Sequence, residues 1–141
     1  MLTEQQKIHR ILDANINRLR EALRVIEEYF RFGSADESAA VELKLMRHEL
    51  HGIETGLDPR LLLECRDTAA DPFAGEVRPE ESAGRDSMEQ VLAANLKRGQ
   101  EAARVLEEYL KAVGKTGLPD AAKRIRFQLY AGEKKWRRIT R

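Results

Sequence analysis

Asn15, Arg18, Glu21, Arg24 and Glu28 follow one another at intervals of three and four residues, and Asn95, Arg98, Glu101, Arg104 and Glu108 repeat the series in the second half. That spacing puts side chains on one side of a helix. Guanidinium groups present planar forks of N–H donors that match phosphate oxygens in pairs, and carboxylates beside them aim and neutralise them. Between the copies the apolar letters drift, Leu19 becoming Gly99 and Leu23 becoming Ala103, while the polar letters persist. A helix kept only for packing would do the opposite, so the series points to a ligand or a catalytic demand.

At about 100° per residue, Asn15 falls in the middle of an arc that includes Ala14, Val25, Tyr29, Ala22, Ile26, Leu19, Leu12, Leu23 and Ile16, and Arg18 falls inside it; Asn95 and Arg98 intrude likewise among Leu92, Ala102, Val105, Leu106 and Tyr109. An unpaired buried guanidinium costs several kcal/mol, so each Arg must meet carboxylates, phosphates or water. One reading is a structural polar network, with Arg18 on a Glu of another helix and Asn15 capping a neighbouring turn. The other is a ligand cleft, which the duplication favours. Lys44 and Arg47, matched by Lys123 and Arg126, add cations that can face the same cleft. His48 belongs to this set by position but has no twin, its counterpart being Phe127, and a lone helical histidine is more often structural.

The elements that must position these groups are helices. Leu12, Ile16, Leu19, Leu23, Ile26 and Phe30 form a helix seam. Gly33 is a natural stop, and Ser34 or Asp36 can cap a second helix carrying Leu43, Met46, Leu50, Ile53 and Leu57. Leu92, Leu96, Leu106 and Leu110 mark a third, and Ala122, Ile125, Leu129 and Trp136 a fourth, with Gly114, Gly117 and Pro119 between them. "KLMRHELH" from Lys44 aligns with "KRIRFQLY" from Lys123, so a hairpin at 11–54 is repeated at 91–133. The expected fold is all-α: a single domain over 1–141, with a duplicated helical hairpin forming a pseudo-two-fold four-helix bundle. In the connecting segment 55–90, Asp58 and Pro59 can start a short helix that buries Leu61 to Leu63. A long central loop follows, without a clear period from Arg66 to Ser87, and it is either a solvated linker or an active-site lid. It holds Arg66, Asp67, Asp71, Glu76, Arg78, Glu80, Glu81 and Arg85.

Composition narrows the function. Charged residues make up 35% of the chain with a net charge of only +1, so acid and base are interleaved and a general polyanion binder is disfavoured. No segment approaches the roughly 20 apolar residues of a membrane span, and the start carries no apolar leader core, so a soluble cytoplasmic protein is expected. Cys65 stands alone, which leaves no disulfide, zinc cluster or redox pair and suggests a buried spectator thiol. No phosphate-binding glycine loop, dinucleotide fingerprint or zinc-protease motif occurs. The basic tail "EKKWRRITR" lacks aromatic interleaving, so nucleic acid is not an expected partner. What remains is an arginine-rich cleft edged by carboxylates and overlaid by a loop with Asp67 and Asp71. A phosphorylated ligand, with a nucleotide and Mg²⁺, suits it.

"DANINRLREALRVIEEYFRF", "LKLMRH", "CRDTAAD", Arg85 and "AANLKRGQEAARVLEEYLK" resemble, in the same order, the small hydroxymethylpyrimidine phosphate kinases of thiamine biosynthesis, which occur alone or fused ahead of thiamine phosphate synthase. No synthase barrel follows, so the chain looks like the standalone form. The family's usual Glu-Gly-Leu-Arg reads Glu21-Ala22-Leu23-Arg24, and Pro72-Phe73-Ala74-Gly75 stands where Val-Gly usually follows Asp71. The resemblance implies ATP-dependent phosphorylation of 4-amino-5-hydroxymethyl-2-methylpyrimidine monophosphate to the diphosphate, no use of the free pyrimidine, and a functional link to thiamine phosphate synthase. On this reading Arg18, Arg24, Lys44 and Arg47, and across from them Lys97, Arg98 and Arg104, handle phosphates. Asn15 and Asn95 orient ligand or backbone groups, and Glu21 and Glu101 position the arginines, with Glu28 and Glu108 beside them. His48 joins the binding set, Asp67 and Asp71 hold Mg²⁺, and Arg66 and Arg85 close from the loop. Two rivals stand beside it. One is a chorismate mutase-like helical enzyme with an Arg/Glu cleft for a small anion, and the other is a non-catalytic regulatory bundle. A homodimer is expected to cover the remaining apolar surface.

Overall fold

The architecture is described by a computed structural model for residues 1–75 and 84–137. Among these residues there are five α-helices and no strand: α1 (Glu4–Glu28), α2 (Glu37–Gly56), α3 (Pro59–Cys65), α4 (Met88–Leu110) and α5 (Leu118–Trp136). Glu76, Arg78, Glu80 and Glu81 of the predicted loop, and positions 138–141 of the basic tail, lie outside the described residues.

Local chemistry sets the helix ends. Thr3 and Gln6 make a reciprocal capping box at the start of α1, with Gln6 N donating to Thr3 Oγ1 at 3.1 Å and Thr3 N to Gln6 Oε1 at 2.8 Å. The seam predicted through Phe30 continues beyond α1 as a wider π turn over Tyr29–Gly33. Asp36 caps α2 by accepting from Ala39 N at 3.0 Å. Asp58 caps α3, where Pro59 takes the first helical position. Ser87 caps α4. Ahead of α5, Gly117 adopts φ 89°, a conformation that side chains with a Cβ resist.

The long helices touch in a closed ring: α1 packs on α2 and α4, and α5 packs on the same two. Neighbours run antiparallel. Gln5 at the start of α1 reaches Ala112 just past the end of α4, and between α2 and α5 the pairs Glu42 with Lys135 and Glu49 with Arg124 run in opposite senses. Leu12, Leu19, Leu23, Leu43, Leu92, Leu96, Leu106, Leu110, Ile125 and Leu129 are fully excluded from solvent in the middle. Truncating one such leucine to alanine costs about 2–5 kcal/mol.

Packing also explains the drift between the copies. A Cβ on Gly99 would lie 3.0 Å from Leu129 Cδ1 and 3.7 Å from Leu19 Cδ1. The large residue of one copy therefore covers the small residue of the other. Interiors this dense leave no room for two leucines at facing positions, so the apolar letters are complementary rather than merely relaxed. The short helix α3, which packs on α1, departs from expectation. It buries Leu62 and Cys65, whereas Leu63 is 61% exposed; one turn on a surface has one inward face, so three consecutive leucines cannot share it. Burial pushes the Cys65 thiol up, with Glu64 and Asp13 adding to the effect, which suits an unreactive thiol.

Candidate functional site

A groove of about 680 Å³ runs between α1 and α4 and is lined by repeat-related pairs: Asn15 and Asn95, Arg18 and Arg98, Glu21 and Glu101, Ala22 and Ala102, Val25 and Val105. Small residues at the pair Ala22 and Ala102 keep the helices from filling the space between them. Asn15 and Asn95 are buried, and each donates Nδ2 to the carbonyl one turn back, on Ile11 and Val91, at 2.9 Å in both cases. The amide oxygens keep their acceptor capacity.

Arg18 and Arg98 correct one expectation. Both are exposed, and among the described residues neither donates to a carboxylate. The projection put them inside the apolar arc, but a direction pointing toward a neighbouring helix is covered only where side chains fill the space, and beside the α1–α4 contact an open groove remains. A structural network would have supplied each with a glutamate. Glu21 and Glu101 are exposed too and hold no arginine among the described residues, so they do not position the guanidiniums as expected.

At its Asn15 end the groove opens into a larger cleft of about 850 Å³ that shares Asn15, Arg18, Glu21 and Val105 and adds Tyr109 of α4 and the loop residues Asp67, Thr68, Asp71 and Pro72. The loop is latched to α1. Arg66 donates Nε to Asp13 Oδ2 and Nη2 to Asp13 Oδ1, both at 2.7 Å, a fork-on-carboxylate pair that fixes orientation as well as distance. Arg10 adds a bond to the Asp67 carbonyl at 2.9 Å. Asp67 and Asp71 accept from the amides of Ala70 and Phe73 at 3.1 and 2.9 Å, which aims both residues of a tight turn. Arg66, expected to close on a phosphate from the loop, is held by Asp13 and lines the same cleft. Asp13, buried on α1, is a functional-site neighbour that periodicity alone missed; the only signal for it was an acid lying two residues before an intrusive asparagine. Among the described residues no three His, Cys, Asp or Glu side chains cluster as a metal cage. Two carboxylates on one cleft wall nevertheless fit Mg²⁺, which takes one or two carboxylates and completes its shell with phosphates and water.

The other predicted cations lie elsewhere. Arg47 donates Nη2 to both oxygens of buried Glu27, at 2.9 and 3.0 Å, and Arg24 reaches the same carboxylate at 3.2 Å and Glu28 at 3.8 Å. The second half repeats this arrangement. Arg126 donates to Glu107 at 2.8 Å, and Arg104 lies 3.4 Å from Glu107 and 3.2 Å from Glu108. Burial pushes the Glu107 carboxyl up, but hydrogen bonds and charge from Arg126 and Arg104 outweigh it and hold the group below its usual range. Lys44, Arg47 and His48 line a separate basic hollow with Arg20 and His51 on the α1–α2 side. They do not face Arg18, because helical periodicity fixes the faces of one helix but not which flank meets which neighbour. Lys97 turns to Glu133 at 3.2 Å, and Arg85 lies exposed just ahead of the α4 cap. Of the predicted set, then, Asn15, Arg18, Glu21, Arg66, Asp67 and Asp71 converge, continuous with Asn95, Arg98 and Glu101.

The ThiD2 family matches residues 10–135. The chain is 44% identical over 129 residues to the thiamine-phosphate synthase of Nostoc punctiforme, covering 92% of this chain and 35% of that protein. It is 42% identical to the thiamine-phosphate synthases of Gloeobacter violaceus, over 94% of this chain and 37% of that protein, and of Thermosynechococcus vestitus, over 91% and 35%. The chain spans about a third of the length of these relatives. No solved structure matches it. No helix among the described residues is long and apolar enough to cross a membrane. The chain belongs to the ThiD2 family.

Proposed function

We propose, taking ThiD2 membership as the premise, that this chain is the hydroxymethylpyrimidine phosphate kinase of thiamine biosynthesis, transferring the terminal phosphoryl group of ATP to 4-amino-5-hydroxymethyl-2-methylpyrimidine monophosphate. The observation that carries this reading is the pair Arg18 and Arg98, exposed on facing helices of one groove and without carboxylate partners among the described residues. Two guanidiniums left available at the same groove suit two phosphorylated ligands that must be brought together.

The chemistry needs little more. A phosphate monoester has a second pKa near 6, so its oxygen is already anionic at neutral pH. That oxygen forms the new bond to the transferred phosphorus as the bridge to ADP breaks, and no general base is required. Neither the groove nor the adjoining cleft has a histidine in its lining, which agrees with this. Arg18 and Arg98 would hold donor and acceptor in line and meet the charge on the transferring group. Asp67 and Asp71 would hold Mg²⁺, which when bound neutralises phosphate charge and orients the donor. The turn carrying them depends on Arg66 and Asp13, so that pair would act by positioning. Strict demand for the monophosphate follows if the acceptor's phosphate must occupy an arginine before the site is complete. The diphosphate product would pass to a thiamine-phosphate synthase.

The test is to combine the protein with ATP, Mg²⁺ and the pyrimidine monophosphate and to quantify ADP and the diphosphate. Equal amounts of both are expected, and no turnover of the free pyrimidine. Folded protein that yields neither product would overturn the reading. Turnover of a small anion without nucleotide would favour a mutase-like activity instead.

A further inference from the structure

The two ends of the groove are equivalent in sequence but not in structure, and tyrosine marks the difference. Tyr29 and Tyr109 occupy matching places in the repeat. Tyr29 is half-buried against the core, its ring 4.9 Å from that of Phe30 and edge-on to it at 78°, and Phe30 in turn lies 5.1 Å from the Trp136 ring. In the second copy Phe30 is replaced by Leu110. Tyr109 therefore has no aromatic neighbour among the described residues, is 40% exposed, and lines the larger cleft beside Val105, opposite Ile11, Ala14 and Pro72.

An aromatic side chain flanked by apolar walls is what a flat heterocycle stacks on. Asn15, at the same end, spends its Nδ2 on Ile11 and keeps an amide oxygen able to accept from a ring amino group. Arg18 follows three residues on, about 4.5 Å along the axis at a rise of 1.5 Å per residue. That short step fits a ring whose phosphate hangs from it by one methylene and one oxygen. An adenine is separated from its first phosphate by a whole ribose and fits it poorly.

On the kinase reading above, on which this step rests, we infer that Tyr109 is the platform for the acceptor's aminopyrimidine ring. Asn15 accepts from the ring amine and Arg18 takes the ring's phosphate. The acceptor then occupies the loop-covered end, and the donor's phosphates enter from the Arg98 end.

Steady-state kinetics of Tyr109→Ala and Tyr109→Phe, with each substrate varied at saturating levels of the other, test this. Tyr109→Ala is expected to raise KM for the pyrimidine monophosphate about 5- to 150-fold, the range that stacking one base on an aromatic ring is worth. KM for ATP should stay within about twofold, and Tyr109→Phe, which keeps the ring, should match the wild type. A rise in KM for ATP instead, or unchanged values for both, overturns the assignment while leaving the kinase reading intact. Absence of turnover by the folded wild type overturns the kinase reading itself. Equilibrium binding of the pyrimidine monophosphate to wild type and Tyr109→Ala then decides the ring site on its own, equal affinities counting against it.

Discussion

The α1–α4 groove and the α1–α2 seam are built from the same repeated polar letters, yet they settle their charges in opposite ways. Along that seam, Glu27 is buried and holds Arg47 and Arg24, and between α4 and α5 the repeat-related Glu107 does the same for Arg126 and Arg104. Along the groove, Arg18 and Arg98 hold nothing among the described residues. Persistence through duplication therefore has two causes in one helix. One set of charges persists because losing its arginines would leave a buried glutamate uncompensated. The other persists although the fold makes no use of it, which is the pattern expected of groups that meet a ligand.

Mutations should separate the two sets. Arg18→Ala and Arg98→Ala are expected to lower kcat/KM about 100-fold or more each, by analogy with the loss of one transition-state donor. Unfolding free energy should change by less than about 0.5 kcal/mol, as for surface substitutions. Urea denaturation and turnover on the same samples check both halves. Glu27→Ala and Glu107→Ala should do the reverse, costing about 3 kcal/mol of stability for a broken buried pair and leaving the folded fraction active. Equal damage to stability from Arg18→Ala would erase the distinction.

A smaller effect sharpens the asymmetry between the ends of the groove. Arg66→Ala frees the loop from Asp13, and activity is expected to fall about tenfold, the lower range for a lost positioning contact. The melting temperature should fall as well, because the substitution leaves the buried Asp13 carboxylate without its guanidinium partner. Lys97→Ala, on the far side of α4, should change little. The smallest effect lies in acid. Glu107 and Glu133 are both held below the usual value of 4.5. In Glu133, burial pushes upward and is outweighed by Gln100, Lys97 and Arg137. A carboxyl lowered in the folded state adds stability that is fully present above its unfolded value and is lost as pH falls through its folded value. Melting temperature should thus stay level above about pH 5 and decline below 4.5, and Glu107→Gln should flatten that decline.

Much of this was legible in the residues. The seams, caps and repeat gave the helices and their order, and Asn15 and Asn95 are buried where the projection put them. What the projection could not tell was whether an inward direction ends in packing or in a groove, so the arginines expected to need burial partners stand open instead. Nor could it tell which flank of α2 meets α1, and so Lys44, Arg47 and His48 were assigned to a cleft they do not line. Glu27 was legible in principle, since it follows Leu23 by four residues on the seam. Asp13 was not, because its partner Arg66 lies far away in the chain and the contact arises only when the loop folds back on α1.

The most direct test of the central claim compares Arg18→Ala with Lys44→Ala in the ATP-dependent conversion of the pyrimidine monophosphate. Both residues are exposed cations without carboxylate partners among the described residues, so neither substitution should disturb the fold. A loss of about 100-fold or more in Arg18→Ala, with Lys44→Ala close to wild type, is the result that locates phosphate transfer in the α1–α4 groove. Full activity in Arg18→Ala, or a larger loss in Lys44→Ala, would contradict it.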